Sequence, residues 1–417
     1  MATYTRLGTF ILGGDLTTDP VGKVHRGLTI TGSRFGRHNL LRTFADELVD
    51  AGIAARMEEA GRVASQLAGT RGFGSAYQFL GGKTPHVACD YVGGRSLAQL
   101  IQKAHQEQIP LGVDHALSVL QGLSQSLMVL HGKGFTHGSL SPHSVWVSFE
   151  GATHILDAPF GPAIQALLPK CPTLSRALEA YRPSQGATAQ QQDFYALGAM
   201  LYELLTLESL PAKAQIPQAL ASATLKAAQE DAPVPPELQG LLRRLLMVDA
   251  PFESAGAFSA ELERVLYDGD YSPTTFNMAF FMHTLFREEN ESDTVAMKAD
   301  TVADFTPLMD AIAGARSIEG LDSGKYIRWA VIGGGVLVIL LGALFYTNWS
   351  KNKENAAVIA RMEALQKEMD LLKMKAEEAT KKEQVALTGL AKVEQDFKDR
   401  KITKAEYDRQ KSALTQA

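Results

Sequence analysis

A run without a single charged side chain extends from Trp329 to Ser350. About 22 consecutive residues of this kind are enough to cross the hydrocarbon core of a bilayer as a helix. Trp329, Tyr346 and Trp349 lie near its ends, where aromatic side chains favour the membrane interface. The run therefore predicts one membrane-spanning helix at 326–350, and its length disfavours the alternative of a buried core helix.

The composition before this run indicates a reducing compartment and gives no sign of nucleic-acid binding. Only two cysteines occur, Cys89 and Cys171, too few for a disulfide framework. The net charge of −5 gives no support for the clustered basic face that nucleic-acid-binding proteins use. Residues 1–15 lack the apolar core and cleavage site of a signal peptide. We therefore expect the part before the span to stay in the cytoplasm and the tail to lie across the membrane.

Four regions follow from the pattern of apolar, turn-forming and charged residues. Residues 4–268 alternate strand-like and helix-like segments, which predicts an α+β domain. A juxtamembrane helix and linker is expected at 269–325, followed by the membrane helix and by a charged helical tail at 351–417. No repeat with a period of tens of residues occurs, which argues against a solenoid or propeller.

Three segments in the second half of the first region carry a recognisable pattern. Val87–Leu97 is strand-like at its start and ends in glycines and polar residues. The eight residues from His137 to Ser144, HGSLSPHS, follow a segment with apolar residues at helical spacing. Asp193 begins a further, largely apolar stretch that extends to Thr206.

In this order and at these spacings, the segments resemble the bacterial Hanks-type Ser/Thr protein kinases. The resemblance covers nearly all of 4–268 and implies a bilobal kinase-like fold, with a small lobe at about 4–92 and a large lobe at about 93–268. Val87–Leu97 resembles the strand and hinge between the lobes, and Asp193 matches the family Asp that caps the backbone of the catalytic loop. Residues 193–206 resemble the long buried helix of the large lobe, and residues 241–266 resemble its closing helices.

Compared with the kinase loop H-R-D-L-K-P-x-N, the segment HGSLSPHS keeps the scaffold and loses the chemistry. His137 remains as a structural residue. Ser139 stands where the family has the Asp that accepts the substrate proton, and Ser144 where it has the Asn that holds magnesium. Ser141 replaces the Lys. A serine hydroxyl is neither a useful base near pH 7 nor a strong magnesium ligand, so the resemblance implies a loop without efficient phosphoryl transfer.

The position of the glycine-rich phosphate loop is similarly degenerate. Gly22 and Val24 match the end of the family motif, while the earlier glycines are displaced. Asp15 and Asp19 would bring negative charge towards a polyphosphate. An ordinary hairpin turn is therefore favoured over a phosphate clamp.

The strand lysine that grips the phosphates in kinases has no counterpart in the matching strand, residues 36–42. Arg42 is the best match and keeps the positive charge on a differently shaped group. Its expected partner on the regulatory helix is Glu58 or Glu59, with a solvated helix charge as the alternative.

Asp157 corresponds to the Asp of the D-F-G motif and is the one retained candidate for a weak metal site. A structural role for it is at least as well supported. Ser184 and Glu253 stand where the family has a buried Glu–Arg pair, so that pair is expected to be absent from both sides. The lone histidines, His143 among them, are expected not to bind metal.

The regions near and beyond the membrane carry their own predictions. The aromatic segment 276–286 predicts a helix that packs on the large lobe, with a groove-binding or membrane-surface helix as the alternative. Residues 287–325 are polar, which predicts a flexible tether with one short helix around 307–315. Apolar residues at three- and four-residue steps between Val358 and Phe397 predict a coiled coil, with a solvated single helix as the alternative. Thr403 and Glu406 predict a capping box in a tail that resembles short bacterial helix-turn-helix modules.

Together these patterns predict a pseudokinase anchored in the bacterial inner membrane, with a cytoplasmic kinase-like domain and a periplasmic tail. Its expected role is a signalling scaffold that binds a protein partner, either an active kinase or an envelope complex. It is expected to self-associate through the coiled coil and to bind no nucleic acid. No cofactor is required, and ATP with magnesium is only a weak candidate ligand at Gly22, Val24, Arg42 and Asp157. The alternatives are a Ser/Thr kinase of low activity and a structural envelope protein.

Overall fold

Long antiparallel strands at the start of the chain build a six-stranded sheet. The computed structural model describes residues 4–31, 33–109, 111–184, 186–226, 231–308, 403–404 and 406. The strand order is β1-β2-β3-β4-β6-β5, and each neighbouring pair is antiparallel. The strands are β1 Thr5–Leu7, β2 Phe10–Asp19, β3 Gly22–Thr31, β4 Arg34–Phe44, β5 Gln78–Leu80 and β6 His86–Asp90.

Two helices and a 3-10 turn complete the small lobe. Helix α1 spans Asp46–Asp50, the 3-10 turn Ile53–Arg56, and helix α2 Met57–Leu67. The buried residues of α2 recur at steps of three and four, so one face of the helix packs against the rest of the fold. The exposed face carries charge.

The large lobe is mainly helical, and its core surrounds two long helices, α4 and α7. Both are buried along most of their length. Its helices are α3 Leu97–Gln106, α4 Val113–Gly132, α5 Gly161–Leu167, α6 Pro172–Ala177, α7 Ala189–Thr206, α8 Ile216–Ala221, α9 Pro236–Leu245 and α10 Ala255–Asp268. Short 3-10 turns lie at Leu168–Lys170, Glu179–Tyr181 and Lys213–Gln215.

Short strands frame the junction of the two lobes. Strands β7 Gly94–Ser96, β8 Val145–Ser148 and β9 Thr153–Ile155 form a three-stranded sheet, and β10 Thr224–Leu225 pairs with β11 Ala232–Pro233. Capping boxes at Ser96 and Thr188 begin α3 and α7, because each side chain accepts from the third backbone N–H of its helix. The α+β class and the long buried helix predicted from Asp193 to Thr206 are confirmed.

The aromatic segment after the large lobe folds back onto it, as expected. Helix α11 spans Thr275–Leu285, and Thr274 caps its first turn. Met278, Phe281 and Met282 are buried in the core of the large lobe. Phe276 on the same helix is 78% exposed, so only one side of α11 is covered.

The prediction of a flexible tether after Phe286 is wrong for its first part. Residues Arg287–Val302 form a further helix, α12. Its acidic residues Glu289, Asp293 and Asp300 are spaced by four and seven, which places them on one face of a helix. That face is held by ion pairs, Glu289 with Lys103, Asp293 with Arg95 at 2.7 Å, and Asp300 with Arg26 at 2.7 Å.

Helix α12 thereby connects the two lobes on the outside. Lys103 lies on α3 and Arg95 on β7, whereas Arg26 lies on β3 of the small lobe. Just beyond the helix, Phe305 is fully buried in a small-lobe cluster with Ile11 and Leu28. A polar composition predicts a tether, but Asp293 and Asp300 pair with the buried guanidinium groups of Arg95 and Arg26 elsewhere in the fold.

The capping box in the tail is present. The backbone N–H of Thr403 donates to Glu406 Oε2 at 3.0 Å, and the N–H of Glu406 donates to Thr403 Oγ1 at 3.4 Å. The membrane helix at 326–350, the short helix around 307–315 beyond residue 308, and the heptads of the tail lie outside the described residues. Within the described part of the chain, no helix combines the length and the apolar character that a membrane crossing needs.

Candidate functional site

The candidate site is the cleft between the small-lobe sheet and the loop 137–144 of the large lobe. Its walls include Val24, Arg42, His143, Trp146 and Asp157. The space between the walls is about 410 Å³ when the open mouth is included, but only about 30 Å³ can hold the centre of a water-sized molecule. Room of that size suits one or two water molecules. A small-molecule site usually offers several hundred Å³, so these walls would have to move to admit a nucleotide.

Asp193 holds the backbone of the loop. Its carboxylate, fully buried at the start of α7, accepts the N–H groups of His137 at 2.9 Å and Gly138 at 2.7 Å. It also contacts His131 Nε2 at 2.8 Å. The structure thus places Asp193 where the resemblance implied, with a charge-assisted pair of hydrogen bonds fixing the loop.

The hydroxyl at the position of the proton acceptor is buried and hydrogen-bonded within the protein. Ser139 is 4% exposed, and its Oγ donates to the backbone oxygen of Gly161 at 3.0 Å. Ser144 Oγ donates weakly to the Ser139 oxygen at 3.5 Å. Ser141 is buried, and its hydroxyl has no hydrogen-bond partner among the described residues. None of these geometries prepares a serine to accept a proton from a substrate.

Asp157 is engaged by a histidine. Its Oδ1 lies 2.9 Å from His137 Nε2, and both side chains are buried. Burial opposes the charge on each group, but Asp157 raises the pKa of His137 above its ordinary value, and His137 lowers the pKa of Asp157. Each of the two groups therefore favours the charged form of the other.

The residues of the cleft do not fit a magnesium–nucleotide complex. Magnesium prefers several oxygen ligands, and Asp157 offers one carboxylate that already binds His137. Among the residues that the structure describes, no three His, Cys, Asp or Glu side chains come together as a metal site. Burial lowers the pKa of His143 in the cavity wall, so this imidazole adds no second positive charge near pH 7.

Arg42 points into the cleft but has a different partner from the one predicted. Its guanidinium binds Asp19 with two hydrogen bonds, Nη1 to Oδ1 at 3.0 Å and Nη2 to Oδ2 at 2.9 Å. Glu58 and Glu59 instead lie on the exposed face of α2. The prediction of a glutamate partner for Arg42 is wrong, and the alternative of a solvated helix charge describes both glutamates.

The segment with Gly22 is a β-hairpin turn rather than an open loop. Gly22 has a φ of +148°, and a Cβ there would lie 2.0 Å from the backbone oxygen of Thr43. The glycine therefore allows β3 to approach β4 closely. Val24, two residues on, lines the cavity, so the structure brings this predicted position to the cleft and leaves Gly22 in the hairpin.

The segment after Asp157 packs directly against the loop 137–144. Helix α5 begins at Gly161, and a Cβ on Gly138 would lie 2.1 Å from Gln165 Oε1 of that helix. Phe160 packs edge-on against Phe44 of the small lobe, with ring centres 5.5 Å apart. Helix α5 and the catalytic-loop position are therefore in direct contact.

Helix α6 is attached to the small lobe as well. The carboxylate of Glu47 on α1 accepts the backbone N–H groups of Thr173 and Leu174 at 3.0 and 3.1 Å. These are the first orphan donors of α6, and a negative charge at a helix start is favourable. The segment from Phe160 to Leu174 is thus in contact with both lobes.

The segment that follows α6 is attached to α7 by a buried tyrosine–glutamate contact. Tyr181 donates its hydroxyl to Glu203 on α7, at 3.0 and 2.9 Å to the two oxygens. Burial raises the pKa of Glu203 to about 7. Ser184 and Glu253 are both exposed and form no pair with each other among the described hydrogen bonds and ion pairs. Sequence reasoning missed the Tyr181 contact, because nothing in the local pattern relates residues 22 positions apart.

Comparison with known proteins relates the sequence to kinases. No family model matches. A probable serine/threonine-protein kinase PknB of Lactococcus lactis is 27% identical over 172 residues, 35% of this chain and 27% of that protein. The serine/threonine-protein kinase PksC of Streptomyces coelicolor is 27% identical over 198 residues, 44% of this chain and 35% of that protein. A probable inactive receptor kinase of Arabidopsis thaliana is 32% identical over 134 residues, 29% of this chain and 12% of that protein.

The chain spans about a third or less of the length of these relatives. A solved structure entitled "PpkA-294 apo form" superposes with a TM-score of 0.46 at 17% identity, covering 63% of this chain and 97% of that chain. By the two bacterial relatives, the chain is related in sequence to bacterial serine/threonine-protein kinases.

Proposed function

We propose that this relative of the bacterial serine/threonine-protein kinases is a pseudokinase, a membrane-anchored scaffold that binds a protein partner and transfers no phosphate. One observation carries the proposal: the hydroxyl of Ser139 is buried and donates to Gly161 beneath helix α5. The group at the proton-accepting position is chemically unsuited to that role and is covered by the segment that would bring the substrate.

The rest of the cleft supports the same function. Phosphoryl transfer is mainly a matter of placing positive charge and metal around the phosphates. Arg42 is neutralised by Asp19 and Asp157 by His137, so both retained groups are occupied within the protein. Each lost group supplies a few kcal/mol in an enzyme of this chemistry, so a residual rate would be lower by orders of magnitude.

Membrane anchoring and self-association belong to the proposal on sequence grounds. The uncharged run 329–350 would hold the kinase-like part at the inner membrane, on the cytoplasmic side. The heptads of the tail would join copies of the chain in the periplasm. The partner is a protein, an active kinase or an envelope complex, and a folded, inactive lobe pair gives it a fixed surface to recognise.

The test is a phosphoryl-transfer assay on the full chain purified in mild detergent. The protein is incubated with radiolabelled ATP, magnesium or manganese, and a generic protein acceptor, beside an Asp157→Ala variant. We expect equal background incorporation in both. Incorporation that disappears in Asp157→Ala would overturn the proposal in favour of a low-activity kinase.

A deletion separates the scaffold from a merely structural envelope protein. Removing residues 1–308 while keeping the span and the tail should abolish recruitment of the partner. A cell that shows no change after this deletion would refute the scaffold role and favour the structural alternative.

A further inference from the structure

Helix α12 is fixed to a different lobe at each end. Phe286, directly before the helix, is buried in the large-lobe core, and the ammonium group of Lys103 lies 5.1 Å from the centre of its ring. Phe305, just beyond the helix, is completely buried against Ile11 and Leu28 of the small lobe. Apolar side chains therefore anchor the helix on both sides of the junction between the lobes.

Between these anchors, the helix passes the segment that joins the lobes. Asp293 binds Arg95 on β7, and the carboxylate of Asp300 lies 3.1 Å from His38 Nε2 on β4. The ring of His38 is centred 6.0 Å from that of Tyr91, which belongs to the joining segment. Seven residues separate the two carboxylates, about 10 Å along a helix. A rigid helix bound to both lobes beside their hinge restrains rotation of one lobe against the other, because rotation would lengthen at least one of these contacts.

The middle of α12 is held by charge rather than by an apolar core. Of its 16 residues, Asp300 alone is buried. The side chains of Val295 and Val302 are 68% and 84% exposed, so the outer side of the helix is uncovered. Elements with few buried apolar contacts open locally at a lower cost in free energy than core helices do. The helix can therefore detach while α4 and α7 stay folded.

We propose that α12 is a detachable strap that sets the opening of the cleft between the lobes. While attached, it holds the small lobe close to the loop 137–144 and leaves the cleft room for only one or two water molecules. When its small-lobe end detaches, the small lobe rotates away about the joining segment and the cleft widens. Because the strap acts on the spacing of the lobes, it needs no bound nucleotide and goes beyond the proposed scaffold function.

A cysteine in the cleft reports this opening. Cys89 on β6 is 5% exposed and shares the lining of the cavity with Trp146 and Asp157 of the large lobe. Burial raises the pKa of its thiol to about 12, so the closed cleft keeps the thiol protonated and unreactive. Cys171 is the other cysteine of the chain, so Cys171→Ala leaves Cys89 as the single thiol.

The experiment measures the rate at which iodoacetamide alkylates Cys89 in the full chain, in mild detergent and with Cys171→Ala as the background. Phe305→Ala and Asp300→Asn each weaken the small-lobe end of the strap without changing a residue of the cleft. Each should raise the rate at least about tenfold, because the loss of a buried anchor or of a charge-assisted hydrogen bond shifts the equilibrium towards the opened form by that factor or more. Glu291→Gln, which breaks an exposed ion pair within α12, should leave the rate unchanged.

Leu262→Ala separates opening of the cleft from unfolding of the whole fold. Leu262 on α10 is buried in the large-lobe core, so its truncation lowers the stability of the fold and leaves the strap in place. At urea concentrations that give equal free energies of unfolding, alkylation of Cys89 should be faster in the strap variants than in Leu262→Ala. Asp300→Asn keeps the shape of the side chain and remains informative if Phe305→Ala folds poorly. Strap variants that react at the wild-type rate, or no faster than Leu262→Ala at equal stability, would overturn the proposal.

Discussion

Removing the carboxylate of Asp300 should loosen the attachment of helix α12 to the small lobe. The side chain is completely buried. It accepts from Tyr4 Oη at 2.8 Å and from Arg26 Nε at 2.7 Å, and it lies 3.1 Å from His38 Nε2. Asp300→Ala leaves the guanidinium of Arg26 buried with only the backbone oxygen of Gly13 as a described partner.

The expected cost follows from that unpaired charge. Breaking a buried ion pair by removing one partner costs about 3–5 kcal/mol. For a domain of this size, such a loss lowers Tm by roughly 10 °C. We would measure it by urea unfolding of the full chain, together with hydrogen exchange over β2, β3 and residues 300–305. Exchange should accelerate there and much less in α4 and α7, which lie in the core of the large lobe.

Two variants test whether the broken ion pair between Asp300 and Arg26 causes the loss of stability. Asp304→Ala removes an exposed carboxylate just beyond the helix and should cost less than about 1 kcal/mol. Replacing both Asp300 and Arg26 by apolar residues of similar volume should recover most of the loss, because no buried charge is left alone. A loss below about 1 kcal/mol in Asp300→Ala would refute the assignment of α12 as a connection between the lobes.

Three further predictions follow from the site and its surroundings. The double substitution Ser139→Asp with Ser144→Asn should leave phosphoryl transfer at background in the radiolabel assay, because the cleft has room for only one or two water molecules. Burial raises the pKa of Glu203 to about 7, so the stability contributed by its protonated form is complete below pH 4.5 and is lost as pH rises through about 7. The free energy of unfolding should fall by roughly 3 kcal/mol over this range. Urea unfolding of wild type and Glu203→Gln at pH 5 and pH 8 would reveal the change. Gly151→Ala should lower the unfolding free energy by more than about 2 kcal/mol in the same assay, because Gly151 has a φ of +81° and a Cβ there would lie 2.0 Å from the Thr275 backbone oxygen.

Each of these has a result that contradicts it. Transfer restored by the double serine substitution would mean that the missing chemistry alone silences the cleft. If the unfolding free energies of wild type and Glu203→Gln depended equally on pH, a group other than Glu203 would be the one that titrates near pH 7. Gly52 is the control for Gly151, since its φ is +96° and nothing lies within 4 Å of the added Cβ. Gly52→Ala should cost only the backbone strain of about 1–2 kcal/mol, and an equal cost at both glycines would exclude the clash.

Local patterns in the sequence identified the elements that depend on near neighbours. The capping box at Thr403 rests on a spacing of three residues, and the helix from Asp193 to Thr206 was predicted from its resemblance to the long buried helix of the kinases. The position of Ser139 in the loop was also readable, because the surrounding scaffold residues fix the comparison. The chemical type of a residue is present in the sequence itself.

Partners across long separations were not readable. Arg42 was expected to pair with a helix glutamate and pairs with Asp19, and the polar stretch after Phe286 was expected to be a tether and forms helix α12. The spacing of Glu289, Asp293 and Asp300 by four and seven residues was a signal in the sequence that could have predicted this helix.

The amino-acid sequence alone determined the class of fold, the long helices and the presence of serines at positions 139, 141 and 144, because these depend on local pattern and residue chemistry. Only the tertiary structure decided that the cleft has room for no more than one or two water molecules and that α12 joins the lobes. Which buried charge finds which partner depends on packing between residues far apart in the chain, and burial strengthens each such pairing by removing water.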